Sequence, residues 1–239
     1  MTEMLFRTDA YLQECRAEIT GLSNEGGIIL DRTVFYPTSG GQTGDAGILS
    51  FGDKKIAITT TIKGEGDTII HMPSEGADLP KIGVQVVQKL DWPARHAKMR
   101  IHTALHLLSV VIPLPVTGGS ITELKGRLDF NMPETLEDKQ AVEDALNTLI
   151  SKDYAITESW ITDAELAANP GLVKTMSVRP PMGAGRVRLI RIGDAATRID
   201  LQPCGGTHVR STGEIGPIRL GKMEKKGRQN RRINLFLDA

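Results

Sequence analysis

Two short stretches about a hundred residues apart carry side chains that a single shared partner would draw together: IHTALHLL at 101–108 and PCGGTHV at 203–209. His102 and His106 stand four residues apart, so on a helix both imidazoles leave the same face, one turn above the other. Cys204 and His208 add a thiolate and a third imidazole, and Gly205 and Gly206 between them let the backbone turn tightly enough for both to face one point. Three nitrogens and one sulfur form a tetrahedral zinc donor set. Each half alone is ambiguous. An HxxxH on an apolar helix also describes hydrogen-bonded core histidines, and a lone cysteine is also a small buried apolar group. A Cys204 nucleophile with His208 as base would leave the two helical histidines unexplained. Taken together the four point to a Zn2+ site that organises the fold around the ion.

The 239 residues allow one large or two modest domains, and 40% hydrophobic with 24% charged residues excludes a disordered chain. The opening MTEMLFRTDAYLQ carries charge and lacks an apolar core, so no signal peptide is expected. The longest apolar run, Leu107 to Val116, is broken by Ser109, Pro113 and Pro115, so no membrane partner is expected. Two cysteines are too few for a disulfide framework, and a metal-facing thiolate needs a reducing compartment; the cytoplasm is the expected location. No protein partner can be inferred. Net charge is zero, yet residues 171–239 hold 14 Lys and Arg against 5 Asp and Glu, a balance of +9 that the first 170 residues cancel. The basic run Lys222, Lys225, Lys226, Arg228, Arg231 and Arg232 reads either as a solvated face or as a phosphate-binding surface.

Residues 1–92 read as a small β-barrel-like domain: β-prone runs at Gly27–Leu30, Ile56–Ile62, Thr68–His71 and Val84–Leu90 are separated by Gly, Asp and Pro. Within it, DRTVFYPTSGGQTGDAG at 31–47 fits neither the dinucleotide fingerprint nor a phosphate loop. It is a set of tight turns, or a loop that approaches a ligand with Thr33 and Gln42 as polar side chains. Residues 93–239 read as an α+β domain with helices packed on an antiparallel sheet. Asp91 and Pro93 start a helix that Pro113 ends, with Ile101, Leu105, Leu108 and Ile112 as its buried stripe and a half-buried histidine pair alongside. A strand pair over GGSITELKGRLDF follows, then a helix from about Pro133 to Lys152 with Leu136, Val142, Leu146, Leu149 and Ile150 inward. A strand at Tyr154–Trp160 and a short helix capped by Thr162 come next. Strands at Arg186–Ile192, Arg198–Leu201, Ile215–Leu220 and Arg231–Leu237 complete it, with Cys204 and His208 in a loop between two of them.

Four motifs in order, TVFYPTSGGQTGDAG at 33–47, HTALHLL at 102–108, GGSITELKGRLDF at 118–130 and IGDAATRIDLQPCGGTHVRSTGEIG at 192–216, resemble the alanyl-tRNA editing (AlaX) family. The chain looks like its medium-length members. The resemblance implies a trans-editing hydrolase, an aminoacyl-tRNA deacylase that cleaves the ester joining chiefly serine, with glycine as a second candidate, to the 3′ end of tRNA(Ala). It implies zinc on His102, His106, Cys204 and His208, with Thr33 hydrogen-bonding the serine hydroxyl and Gln42 near the ester. Leu105 replaces a threonine common in the first His motif and is expected to point away from the metal. The tail departs from the family's usual Gly-Val-Arg-Arg-Ile. Thr103 follows His102, so the HExxH glutamate of metallopeptidases is missing. The alternatives are a threonine-tRNA-directed deacylase and a non-catalytic, zinc-stabilised tRNA-binding module.

Overall fold

The computed structural model describes residues 1–134, 138–176, 185–194 and 196–238. It is α+β, with mostly antiparallel sheets. The chain divides into two compact units, Met1–His96 and Ala97–Ala239.

The first unit holds β1 (Glu3–Met4), β2 (Glu14–Leu22), β3 (Ile28–Leu30), β4 (Arg32–Thr33), β5 (Gly47–Phe51), β6 (Lys54–Lys63), β7 (Ile69–Pro73) and β8 (Gln85–Leu90). Six of them close into a barrel in the order β2-β3-β7-β6-β5-β8, with β8 pairing back onto β2. Closure leaves no open sheet edge. Period-two alternation fills the interior: Ala17 and Ile19 from β2, Ile56 and Ile58 from β6, and Val86 and Leu90 from β8 are buried with Phe35 and Leu49. The glycine-rich stretch is part of this packing. A Cβ on Gly44 would stand 2.1 Å from the Thr61 carbonyl oxygen, and one on Gly47 would stand 2.3 Å from that of Lys89. Gly44 and Gly47 therefore let the chain lie against its own barrel strands. Asp45 anchors the same stretch: its Oδ2 accepts from Tyr36 N at 2.6 Å and from Arg95 Nε at 2.8 Å.

Helix α1 (Trp92–Val111) starts where expected, with Asp91 Oδ1 accepting from Ala94 N at 3.2 Å. The second unit continues with β9 (Val116–Ile121), β10 (Gly126–Asn131), α2 (Lys139–Ser151), β11 (Ile156–Thr162), α3 (Asp163–Ala168), β12 (Arg186–Gly193), β13 (Arg198–Pro203), β14 (Ile218–Leu220), β15 (Glu224–Lys226) and β16 (Asn230–Leu237). One sheet runs β14-β16-β10-β9 with β15 beside β16, and a second runs β11-β12-β13.

Helix α1 lies on β10 at Gly126, where an added Cβ would sit 2.5 Å from Ile101 Cγ2 and 3.0 Å from Leu105 Cδ1. Residues 101–109 of α1 are buried all round, not along one stripe, so the histidine pair is more enclosed than a half-buried reading allowed. Helix α2 begins at Lys139, capped by Asp138 Oδ1 on Ala141 N at 2.9 Å, rather than near Pro133. Leu146 and Ile150 are buried in it; Leu136 lies outside the described residues. The helix also completes the edge strand β14, since Asn147 bonds both backbone groups of Ile218 and Glu143 Oε2 accepts from Leu220 N at 2.7 Å. Thr162 and Glu165 form the capping box of α3. No described helix is long and apolar enough to cross a membrane. Both cysteines are free.

Candidate metal centre

The two segments singled out by their sequence meet in the second unit. His102 and His106 leave α1 one turn apart, ring centroids 5.3 Å from each other. The loop after β13 brings Cys204 Sγ to 3.4 Å from His102 Nε2 and 3.3 Å from His208 Nε2. One donor atom from each of the four residues lies within 4.8 Å of every other. Zinc bond lengths of 2.0–2.3 Å at tetrahedral angles put neighbouring donors about 3.6 Å apart, so the set has the right size as well as the right chemistry. The three histidines are 8%, 6% and 5% exposed in chain order. At Gly205 a Cβ would meet nothing within 4 Å, so the loop is open at that residue.

Neighbouring groups fix which ring nitrogen faces the centre. Asp200 Oδ2 lies 3.0 Å from His106 Nδ1, and its other oxygen accepts from Lys174 Nζ at 2.6 Å. A proton held on Nδ1 leaves Nε2 for a metal. Gln202 Nε2 donates to the same Asp200 oxygen at 2.7 Å. Thr103 Oγ1 donates to the Met99 carbonyl at 2.9 Å, so at 3.1 Å it accepts the proton of His208 Nδ1. Arg188 Nη1 donates to the Gly206 carbonyl at 2.8 Å, and Gly206 N in turn points at Cys204 Sγ from 3.4 Å.

The electrostatics suit cation capture. Burial alone would raise the Cys204 thiol, but His102 and His208 outweigh it and hold that group well below its ordinary range. His208 is pushed down to about 3, by burial first and by His102 next. For His106, burial is overcome by the hydrogen bond to Asp200 and by Cys204, which raise it to about 9. Burial would likewise raise Asp200, yet His106 and Lys174 keep it far below the usual carboxylate range. A thiolate beside a neutral imidazole is the protonation state a cation requires, and binding would release the extra proton of His106.

The remaining expected site residues divide. Thr33 and Gln42 are both wholly buried in the first unit. Thr33 Oγ1 sits 2.7 Å from His71 Nε2 and 3.0 Å from Gln88 Oε1, and accepts from Phe35 N at 3.0 Å. It is a node of hydrogen bonds in the barrel interior. Of the basic run, Lys222, Lys225 and Arg228 are exposed, and Lys226 is exposed beside Glu224 at 2.7 Å. Arg232 is held by both oxygens of Asp129, at 2.8 and 2.9 Å. Arg231 is buried and donates to the carbonyls of Asn230 and Pro133, so it serves the fold. Sequence reasoning missed Asp200, Gln202, Lys174 and Arg188. The first two had a signal: with Cys204 they stand at every second position of a strand and its extension.

The family described as "Threonyl and Alanyl tRNA synthetase second additional domain" matches residues 187–234, which span β12, the ligand loop and most of β16. That described as "tRNA synthetases class II (A)" matches residues 7–94. The alanyl-tRNA editing protein AlaX-M of Saccharolobus solfataricus is 32% identical, over 98% of this chain and 98% of its own length. AlaX-L of Pyrococcus horikoshii is 31% identical over 98% of this chain, which spans 57% of that longer protein. An alanine–tRNA ligase of Pyrobaculum neutrophilum is 31% identical over 94% of this chain and 25% of its own length.

Proposed function

Because this chain belongs to the alanyl-tRNA editing proteins, matching an AlaX-M relative from end to end, we propose that it is a zinc-dependent deacylase. Its substrate would be tRNA(Ala) charged with serine, and with glycine as a second substrate. The observation that carries the reading is the convergence of His102, His106, Cys204 and His208 within 4.8 Å of one another. A Zn2+ held by His102, His106, Cys204 and His208 would supply a Lewis acid there. The chain does the rest. Asp200 holds the proton on His106 Nδ1, and Thr103 does the same for His208. Arg188 fixes the Cys204–Gly206 carbonyls and so the direction of the thiolate. An aminoacyl ester is already an activated acyl group, so holding it beside a positioned water is most of what hydrolysis requires.

Serine differs from alanine by one hydroxyl, and a site that hydrogen-bonds this group can reject the analogue lacking it by roughly 10⁴ to 10⁵. Thr33 supplies that hydrogen bond and Gln42 lies near the reacting ester, both roles carried over from the motif at 33–47. Lys222, Lys225 and Arg228 are the cations available to tRNA phosphates, which give salt-sensitive affinity without sequence information.

The test is metal analysis of the purified protein together with deacylation of serine-charged tRNA(Ala). About one zinc per chain and a loss of roughly 100-fold or more in Cys204→Ala are expected. Tight tRNA binding with no ester cleavage would reduce the protein to a zinc-stabilised binding module. The matched family description also names threonyl synthetase, so serine-charged tRNA(Thr) is the comparison substrate; faster cleavage of it would redirect the reading to threonine tRNA.

A further inference from the structure

One face of the β11-β12-β13 sheet carries, strand by strand, the groups that surround the ligand cluster. From β13, Asp200 and Gln202 reach His106. From β12, Arg188 grips the carbonyls of Cys204 and Gly206, while its own carbonyl accepts from Cys204 N at 3.1 Å. The register opposes Gln202 to Ile190, Ile190 to Glu158, and Arg188 to Trp160. Directly opposed residues of antiparallel strands share a face. Trp160 of β11 therefore stands on the same face as Asp200 and Gln202, two strand spacings or roughly 10 Å farther out. Glu158 confirms the facing, since its carboxylate meets Arg188 Nε at 2.5 Å.

Trp160 is a large aromatic left 47% exposed on an edge strand. Beside it Glu158 pairs with Arg188, and Arg186, exposed and opposed to Thr162, adds a second guanidinium on the same face, with Glu165 resting on the Thr162 hydroxyl. A half-exposed indole with an exposed guanidinium diagonal to it offers a π-face for a base and a partner for the adjoining phosphate. We infer that Trp160 is a stacking platform for an unpaired nucleotide of the tRNA 3′ end, with Arg186 on its backbone phosphate. This rests on the editing function proposed above and extends it to the way the single-stranded end is held.

The chain has two tryptophans, Trp92 and Trp160, so a Trp92→Phe background isolates the emission of Trp160. A short single-stranded RNA ending in CCA should quench it. In deacylation of serine-charged tRNA(Ala), Trp160→Ala should raise KM roughly 10- to 100-fold with kcat within about twofold, and Trp160→Phe should recover most of the loss because it keeps a stacking surface. Zinc content should be unchanged in both variants. A wild-type KM for Trp160→Ala, with no quenching by RNA, overturns the inference and leaves the editing activity intact. Quenching by RNA from a protein that cleaves no charged tRNA would support the platform and overturn the activity. Self-association through Trp160 in light scattering, without RNA quenching, would also overturn it.

Discussion

At Asp200 a single carboxylate, 3% exposed, meets His106 with one oxygen and Lys174 with the other. Removing such a partner of a ligating histidine costs roughly 10- to 100-fold in metal affinity. Asp200→Ala should therefore weaken zinc by that factor in chelator competition while the protein stays folded; an unchanged affinity would show that packing alone sets the tautomer. Thr33 invites a second experiment. Its hydroxyl lies between His71 and Gln88, so Thr33→Val should cost about 1–3 kcal/mol of stability and lower the preference for serine over alanine esters; an unchanged preference would discard its role in selection. The four donors were legible in the sequence because the His-His spacing and the Cys-Gly-Gly-Thr-His turn are local signals. The packing of Thr33 was not. A hydroxyl next to a glycine-rich loop looks the same in a chain whether the loop faces a ligand or, as at Gly44, its own barrel strand.

Among the elements, the barrel holds a titratable group that its strands enclose completely. His71 on β7 donates from Nδ1 to the Ile28 carbonyl at 3.0 Å and is pushed down to about 4 by burial. Between pH 6.5 and 4 the unfolded chain binds a proton there that the native barrel refuses. Stability therefore falls as pH drops through this window, by up to about 3 kcal/mol, and is unaffected by this group above it. Denaturant titrations of the wild type and His71→Gln across pH 4–7 should show a flatter profile in the variant; parallel profiles would mean that the histidine titrates freely. Helix α1 and the hairpin β9-β10 were legible because cap, proline and apolar repeat agree. β2 was overlooked: its alternation carries Glu14, Arg16 and Glu18 outward and Cys15, Ala17 and Ile19 inward, a weak apolar signal that becomes a strand through pairing with β8 and β3. The start of α2 was placed early because helix propensity precedes Asp138, whereas the capping hydrogen bond begins the helix after it.

For the whole molecule the charge asymmetry sets the terms of association. Lys222, Lys225 and Arg228 stand in solvent on the turn-rich stretch around β15, and reversing all three to glutamate should lower tRNA affinity while leaving zinc content alone. The slope of log affinity against log salt should flatten by about one for each phosphate contact removed. A salt slope identical to that of the wild type would send the phosphate surface elsewhere on the chain. The donor set has a further implication for how the protein is made. Its first histidine is residue 102 and its last is 208, so a ribosome must add about a hundred more amino acids before the helix it has already released can close on an ion. Until then the paired imidazoles ride on an apolar helix with nothing to seat them, and the nascent chain is exposed to mispairing or to capture by chaperones. Zinc supply during translation, more than after it, should then govern how much active protein a cell obtains.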